Sequence, residues 1–291
     1  MARLEVIDVH HHYGELSDAL GDYEGHGRLL TPEEDIKWRS PALDASGVSW
    51  AVIQPAHSYM RADGIRDTMR INDAIARYRA LDPLHYPMAL GILEPTHRER
   101  SLEELERCHA ELKLNGFSWH SRLQGVYIDN RWMRPVLKRM AQLKMAPIVH
   151  TNPESKMEAP WRLQKLAYEF SEMLFLAMDG FDAYEQAHEV LHIAQHTPNI
   201  IWDLGNRAPW GAVERFIRKF GSERFAFSSG SSYPFNRSPR RPPMLEAILN
   251  STLPERDKAN ILSRNARRLF GLPVNSAVNP GLNAQARTKK R

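Results

Sequence analysis

The chain is predicted to be an α/β protein that folds as a single (β/α)8 barrel. Three observations predict this class: eight apolar segments of strand length, a helical segment after each, and polar side chains at nearly every strand end. Strands that alternate with helices pair in parallel, and eight such units in about 270 residues fit a closed barrel. A doubly wound open sheet is the alternative. Such a sheet usually has a Gly-rich turn after its first strand, where this chain has His-His-His-Tyr-Gly.

The elements follow from apolar runs and from the turn and capping residues that bound them. The predicted strands are residues 4–10, 48–54, 86–93, 116–120, 146–150, 173–178, 199–204 and 224–228. The predicted helices are residues 31–45, 65–81, 101–114, 130–144, 160–171, 182–195, 209–220, 245–250 and 254–270. Thr31 as N-cap and Pro32 at the first helical position mark the first helix start. Ser101 is expected to cap the third helix in the same way.

One barrel domain is predicted over residues 1–270, followed by a basic tail at residues 271–291. The formal net charge is +4, and four positive charges lie at the extreme C-terminus, on Arg287, Lys289, Lys290 and Arg291. Removing them leaves a formal charge of zero, so the basic balance belongs to the tail. Its low periodicity predicts disorder. A nucleic-acid-binding role needs a basic face on the folded part, and is therefore not expected.

A membrane protein and a disulfide-bonded protein are not expected either. No apolar run approaches the ~20 residues that a membrane span needs, and no apolar signal segment is expected before the first strand. Cys108 is the only cysteine, which excludes an intrachain disulfide and makes a reducing cytoplasm the expected location. A homo-oligomer is left open.

The strongest chemical signal is the run His10-His11-His12 after the first apolar segment. Alternate side chains of a strand share a face, so His10 and His12 are expected to reach one metal ion while His11 faces away. A triple-histidine surface loop is the alternative. In a barrel, sites lie at the C-terminal ends of the strands. The other polar residues there are Gln54, His57, Glu94, His120, His150, Asp179, Asp203 and the run at 228–232.

Seven short motifs resemble segments of a known family. They are Ile-Asp-Val-His-His-His at 7–12, Leu-Asp-Ala-Ser-Gly-Val at 43–48, Gly-Phe-Ser-Trp-His at 116–120, Pro-Ile-Val-His-Thr at 147–151, Pro-Asn-Ile-Ile-Trp-Asp at 198–203, Tyr-Pro-Phe at 233–235 and Asn-Ala-Arg-Arg-Leu-Phe-Gly-Leu at 265–272. Together they resemble the amidohydrolase-related family that includes aminocarboxymuconate-semialdehyde decarboxylase and the resorcylate decarboxylases. This resemblance covers nearly the whole predicted barrel and implies the same fold.

The resemblance implies a divalent metal ion held by His10, His12 and His150, with zinc expected. The resemblance also implies that two other family positions are replaced. Met178 stands where the family has a strand-six histidine. Ser232 stands where the family has a strand-eight aspartate, or Gly230 does if the segment is aligned forward from Arg224, and neither residue is an acid. Because a carboxylate close to a dication contributes strong attraction, we expect weaker metal binding here, and loss of the metal is left open. The substitution Ser232→Asp is expected to raise zinc affinity.

The function that the resemblance implies is a divergent metal-dependent hydrolase or decarboxylase-like lyase acting on a small carboxylated or cyclic compound. Asp179 is a candidate for the missing carboxylate, or else a turn residue. His120 is a candidate acid–base group, or else a hydrogen-bonding rim residue. Arg122 is a candidate for bidentate binding of a substrate carboxylate, or else a surface salt bridge, and Ser232 is a second candidate substrate contact. The alternative function is a metal-free relative that catalyses a metal-independent reaction, binds a small molecule, or serves as a non-catalytic partner subunit.

Overall fold

The computed structural model describes residues 4–14, 30–56, 61–181, 187–205, 207–229 and 240–274. Eight parallel strands pair in chain order in one sheet. They are β1 Ile7–Tyr13, β2 Trp50–Pro55, β3 Met88–Ile92, β4 Gly116–Trp119, β5 Ala146–His150, β6 Phe175–Met178, β7 Ile200–Asp203 and β8 Phe225–Ala226. The Val9 N–H donates to the Phe227 carbonyl oxygen at 3.3 Å, which joins the two edges of the sheet. The predicted (β/α)8 barrel is confirmed.

Helices follow the strands along the chain, as the alternating pattern predicts. They are α1 Pro32–Ser46, α2 Ile65–Leu81, α3 Glu99–Ala110, α4 Ser121–Gln124, α5 Met133–Leu143, α6 Pro160–Glu169, α7 Ala187–His196, α8 Trp210–Phe220, α9 Pro243–Asn250, α10 Glu255–Ala259 and α11 Asn265–Leu269. The start of α1 is a capping box: the Thr31 side chain accepts from the Glu34 N–H at 3.3 Å, and the Glu34 carboxylate accepts from the Thr31 N–H at 2.9 Å. Gly47, at φ 84°, ends this helix.

The predicted start of the third helix is wrong. Ser101 does not cap α3, which begins at Glu99 after a short 3₁₀ turn. The Ser101 hydroxyl instead donates to the carbonyl oxygen of Glu94 at 2.5 Å, which ties the first turn of the helix to the end of β3. The predicted helix at 254–270 contains a π-helical turn, Asn260–Arg264, between α10 and α11.

Two apolar layers fix which side chains can reach the barrel mouth. The barrel interior is filled by Ile7, Val9, Trp50, Val52, Leu90, Ala146, Ile148, Leu176, Met178, Ile201 and Ala226. The alternate residues of the strands pack against the surrounding helices, among them Ile53, Phe117, Val149, Phe175 and Trp202. This strict two-residue period carries on past the interior layer and selects the side chains that line the mouth.

A partly buried ion pair in the loop between α2 and β3 gives a prediction about stability and pH. His85 Nδ1 lies 2.9 and 2.8 Å from the two carboxylate oxygens of Asp82, and His85 Nε2 lies 3.2 Å from Asp44 Oδ1. The hydrogen bond to Asp82 raises the pKa of His85 above its usual 6.5. Burial opposes the charge of Asp82, but the bonds from His85 and Ser40 lower its pKa below the usual 3.8.

Because the pKa of His85 is higher in the folded than in the unfolded protein, protonated His85 stabilises the fold. This contribution is complete below the pKa of the unfolded state and is lost as pH rises through the pKa of the folded state. The lowered pKa of Asp82 stabilises the fold above its unfolded pKa and is lost as pH falls through the folded one. The pair therefore contributes most between about pH 4 and 6.5. We expect His85→Gln to lower the free energy of unfolding by about 0.5–1 kcal/mol more at pH 6 than at pH 9. Urea denaturation at the two pH values measures this, and an equal loss at both would contradict it.

Some predictions fall largely or wholly beyond the described ranges. The basic tail is predicted over residues 271–291, and residues 275–291 are not among those described. Its disorder, a homo-oligomeric state and a cytoplasmic location stay predictions. In the described ranges, no helix combines the length and the apolar character that a membrane span requires.

Candidate metal and acid–base site at the barrel mouth

Polar side chains at the strand ends continue the inward-facing rows of the barrel. Ile148 of β5 faces the interior, so His150, two residues later, faces the mouth. The same step from β2 and β6 brings Gln54 and Met178 together, with Gln54 Nε2 3.2 Å from Met178 Sδ. At β2, β5 and β6 the mouth is therefore built by the two-residue period of the strands.

A bulge in β1 brings both His10 and His12 into this layer. Val9 faces the barrel interior, so strict alternation would turn His10 outward. The pairing register between β1 and β2 shifts between Asp8 and His11, and a bulge of this kind reverses the alternation. The irregular step in the strand is what aims the two histidines at the mouth.

Asp8 and His11 point to the other side of β1 and form a buried pair. His11 Nδ1 lies 2.9 Å from Asp8 Oδ2, and Asp8 Oδ1 accepts from the N–H groups of His10 and Ser229 at 3.1 Å each. Burial opposes the charge of Asp8, but His11 and these hydrogen bonds lower its pKa. The pair holds the bulge and fastens it to the chain that follows β8.

His10, His12 and His150 converge, with one nitrogen of each within 4.8 Å of the others. An acceptor engages Nδ1 of every ring: Asp203 Oδ2 at 2.9 Å for His10, the Pro55 carbonyl oxygen at 3.0 Å for His12, and Asp179 Oδ2 at 2.9 Å for His150. Metal-ligating histidines almost always use their second nitrogen in this way. Nε2 is then the nitrogen of each ring that could coordinate a metal. The predicted convergence is confirmed, and the role as metal ligands stays a prediction.

The charges at the mouth favour a protonated, positively charged His10. Nε2 of His10 lies 2.9 Å from Nε2 of His12. Because the Pro55 carbonyl can only accept, His12 carries its own proton on Nδ1, and His10 supplies the proton between the rings. Burial opposes this charge, but the carboxylates of Asp179 and Asp203 raise the pKa of His10 to about 9. Burial and His10 lower the pKa of His12, so the two rings share one positive charge.

Asp179 reaches the mouth through an unusual backbone conformation. It follows Met178, which faces inward, so alternation would turn it away from the site. Its φ of 60° is left-handed, a conformation rare for non-glycine residues, and it directs the carboxylate to His150. Asp179 Oδ1 also lies 3.7 Å from His10 Nδ1, and the Asp179 N–H donates to Asp203 Oδ1 at 2.9 Å.

These carboxylates form a second potential ligand set with His10. Single oxygens of Asp179 and Asp203 lie within 4.8 Å of each other and of a His10 nitrogen. They contact Nδ1 of the rings, on the side away from the His10–His12 contact. Burial raises the pKa of Asp203, and the Ser228 hydroxyl donates to its Oδ2 at 2.9 Å. Both carboxylates orient histidines in this arrangement.

His120 lies beside the three histidines and is held by a buried glutamate. Its ring stacks on His150 with centroids 4.1 Å apart, and its Nδ1 lies 2.6 Å from Glu158 Oε1. Glu158 Oε1 also accepts a hydrogen bond from the backbone N–H of Arg122 at 3.1 Å. The guanidinium Nε of Arg122 lies 3.3 Å from Glu158 Oε2. Sequence reasoning missed Glu158, which lies 38 residues from His120 on a loop without a recognisable pattern.

A second ion pair at the rim was also missed. Arg61 Nε lies 2.7 Å from Glu94 Oε1, and Glu94 is buried after β3. Glu94 was recognisable as a polar strand end, whereas Arg61 carried no recognisable sequence signal. Ser232 and His57 lie outside the residues that the structure describes, so the substrate contact predicted at Ser232 stays a prediction.

The sequence model of the amidohydrolase family matches residues 7–272. The chain belongs to the amidohydrolase family. No curated protein matches it. Solved structures with the same fold include 5-carboxyvanillate decarboxylase from Novosphingobium aromaticivorans, in complex with manganese and 4-hydroxy-3-methoxy-5-nitrobenzoic acid, at 14% identity and a TM-score of 0.71 over 92% of this chain and 96% of that one.

Two further solved structures share this fold. One is 2,6-dihydroxybenzoate decarboxylase from Rhizobium, at 18% identity and a TM-score of 0.65, covering 92% of this chain and 99% of that one. The other is 4-oxalomesaconate hydratase from Rhodopseudomonas palustris, at 17% identity and a TM-score of 0.67, covering 91% and 95%.

Met178 distinguishes the mouth of this amidohydrolase from the pattern that its sequence resembles. Its side chain is fully buried at the end of β6 and contacts Gln54. A thioether cannot carry a proton between pH 4 and 10, so it cannot replace a histidine in acid–base chemistry. Any proton transfer at this mouth therefore needs a side chain other than that of residue 178.

Proposed function

We propose that this amidohydrolase is a metal-dependent lyase that removes a carboxyl group from a small aromatic or related cyclic acid. The observation that carries the proposal is the engagement of Nδ1 in all three mouth histidines by Asp203, Pro55 and Asp179. These three acceptors hold the imidazoles by Nδ1, so Nε2 is the nitrogen of each ring that could coordinate a metal. Three histidines held in this way fit a divalent metal ion. The two decarboxylases that share this fold act on aromatic carboxylates, as their names state, which favours that substrate class.

His10, His12 and His150 would hold the metal ion in this proposal. Three histidines are a sufficient ligand set for zinc with one open position. A bound dication supplies charge stabilisation for an oxygen-bearing substrate. Manganese, present in one of the related structures, and zinc are both candidates.

His120 is the acid–base group in this proposal. When a carboxylate leaves an aromatic carbon as CO2, the electrons of the broken C–C bond stay on that carbon, which must take up a proton. The His120 Nδ1–H donates a hydrogen bond to Glu158, which fixes the tautomer and leaves Nε2 as the nitrogen for proton transfer. His120 would thereby take over the function of the residue replaced by Met178.

Arg122 is the proposed contact for a substrate carboxylate. Its Nε pairs with Glu158 at 3.3 Å, and the side chain is 45% exposed at the rim, so its guanidinium can be approached from solvent. A guanidinium binds a carboxylate bidentately. Arg122 and His120 share Glu158, which would place the substrate carboxyl group next to the proton donor.

The test uses untagged protein loaded separately with manganese and with zinc. We expect release of CO2 from 2,6-dihydroxybenzoate, 5-carboxyvanillate or a related hydroxybenzoate, with loss of activity on chelation and in His120→Asn. Arg122→Lys is the matched binding variant and should raise KM more than it lowers kcat. If metal binds but no acid of this class is decarboxylated above the level of His120→Asn, the lyase proposal is wrong. If no metal binds, the metal-free alternative applies.

A further inference from the structure

The outer face of α7 carries three exposed histidines at intervals of four residues, His188, His192 and His196. The opposite face of the helix is apolar, with Val190, Ile193 and Ala194 buried. Residues four apart on a helix lie one above the other, so the three imidazoles form a single column facing solvent. The barrel mouth makes no use of this column.

Two rings of this column are already adjacent. The centroids of His192 and His196 lie 4.4 Å apart with an interplanar angle of 43°. His196 Nδ1 lies 2.8 Å from the His192 carbonyl oxygen. Because a carbonyl oxygen can only accept, Nδ1 carries a proton, which leaves Nε2 as the nitrogen that could bind a metal. The helix itself thus sets the tautomer that a metal ligand requires.

The sequence His188-Glu189-Val190-Leu191-His192 matches the helical motif of zinc proteases, but the structure excludes that chemistry. In those enzymes the glutamate acts as the general base at the metal held by the two histidines. Here Glu189 is partly buried and its carboxylate accepts a hydrogen bond from the Trp161 backbone at the start of α6. This hydrogen bond holds the carboxylate of Glu189 against α6.

We propose that the α7 column binds one transition-metal ion through His192 and His196, the two rings that are already adjacent. Imidazole donors suit Cu²⁺, Ni²⁺ and Zn²⁺, and divalent affinity peaks at Cu²⁺. Mn²⁺ prefers carboxylate and water ligands, so this site discriminates against it. The site lies on the outside of the barrel and does not depend on the function proposed for the mouth.

The test titrates the full-length, untagged protein with Cu²⁺ and follows binding by calorimetry and by electron paramagnetic resonance of the bound copper. We expect His192→Gln and His196→Gln each to lower Cu²⁺ affinity at this site about tenfold or more, because the second imidazole of a chelate binds intramolecularly. His188→Gln should have a smaller effect. Mn²⁺ binding should be unchanged in all three variants.

The matched control is His109→Gln, a histidine on the surface helix α3 with Leu105 and Lys113 at the positions four residues away. It should bind Cu²⁺ as wild type does. In His12→Asn, which alters only the mouth, the copper signal of α7 should persist. Wild-type copper affinity and stoichiometry in either His192→Gln or His196→Gln would overturn the proposal.

Discussion

His12→Asn should lower the affinity for manganese or zinc more than about 100-fold. An asparagine amide nitrogen occupies nearly the position of histidine Nδ1, so the variant can keep the hydrogen bond to the Pro55 carbonyl, which is 3.0 Å from Nδ1 in the wild type. It lacks Nε2, the atom that faces His10. Loss of an outer partner of a ligand typically costs about 10–100-fold in metal affinity, and loss of a ligand atom itself should cost more.

Asp203→Asn is the matched comparison, because it changes an outer partner of the same cluster. Asp203 Oδ2 accepts from His10 Nδ1 and from the Ser228 hydroxyl, and Oδ1 accepts from the Asp179 N–H. An amide preserves the shape and removes the charge and one acceptor. If the three histidines are the ligands, this variant should lose about 10–100-fold, less than His12→Asn loses.

The ranking of these two variants separates the two ligand sets. Isothermal titration with Mn²⁺ and Zn²⁺ measures both affinities. A greater loss in Asp203→Asn than in His12→Asn would assign the metal to His10, Asp179 and Asp203, the alternative cluster. Carboxylate ligands would then also explain a preference for manganese over zinc. If both variants bind the ion as tightly as wild type, the ion binds elsewhere, and for Zn²⁺ the α7 column is then the first place to look.

The barrel could be predicted from sequence because its signals are local. Capping at Thr31 and the apolar run before His150 each involve a few neighbouring residues, and both α1 and β5 lie where the pattern places them. Strand alternation then predicts that His150 faces the mouth. Such features depend on neighbours along the chain, which a single sequence displays.

The remaining features of the site depend on contacts between distant segments. Strict alternation from Val9 would have turned the His10 side chain outward. The bulge in β1, next to the Asp8–His11 pair, turns it to the mouth. The left-handed φ of Asp179 is equally invisible in a sequence without a glycine there. Glu158 meets His120 through tertiary packing alone. These are the places where the tertiary fold overrides the local pattern.

Gly180→Ala should destabilise the barrel by about 1–3 kcal/mol, the usual cost of overpacking, and weaken metal binding as well. A Cβ at Gly180 would lie 2.7 and 2.8 Å from ring atoms of Trp202 and 3.2 Å from Thr151 Oγ1. Both neighbours are held: Trp202 is fully buried, and the Thr151 hydroxyl donates to the Met178 carbonyl oxygen at 2.9 Å. The backbone at Asp179 and Gly180 must therefore move, and Asp179 is the residue that orients His150.

Urea denaturation and Mn²⁺ titration together measure this effect. Gly211→Ala is the matched control, because its Cβ would lie 3.6 Å from the nearest atom, the end of a flexible Arg215 side chain, and α8 favours alanine over glycine. It should lose no stability.

Trp202→Phe removes the ring atoms that clash without breaking a hydrogen bond among the described residues, since the indole N–H has no acceptor there. In that background Gly180→Ala should cost less, which a double-mutant cycle detects. If the two substitutions change the free energy of unfolding additively, the strain lies elsewhere. A Gly180→Ala variant as stable as wild type would show that the close packing of β7 on this turn does not hold Asp179 at the mouth.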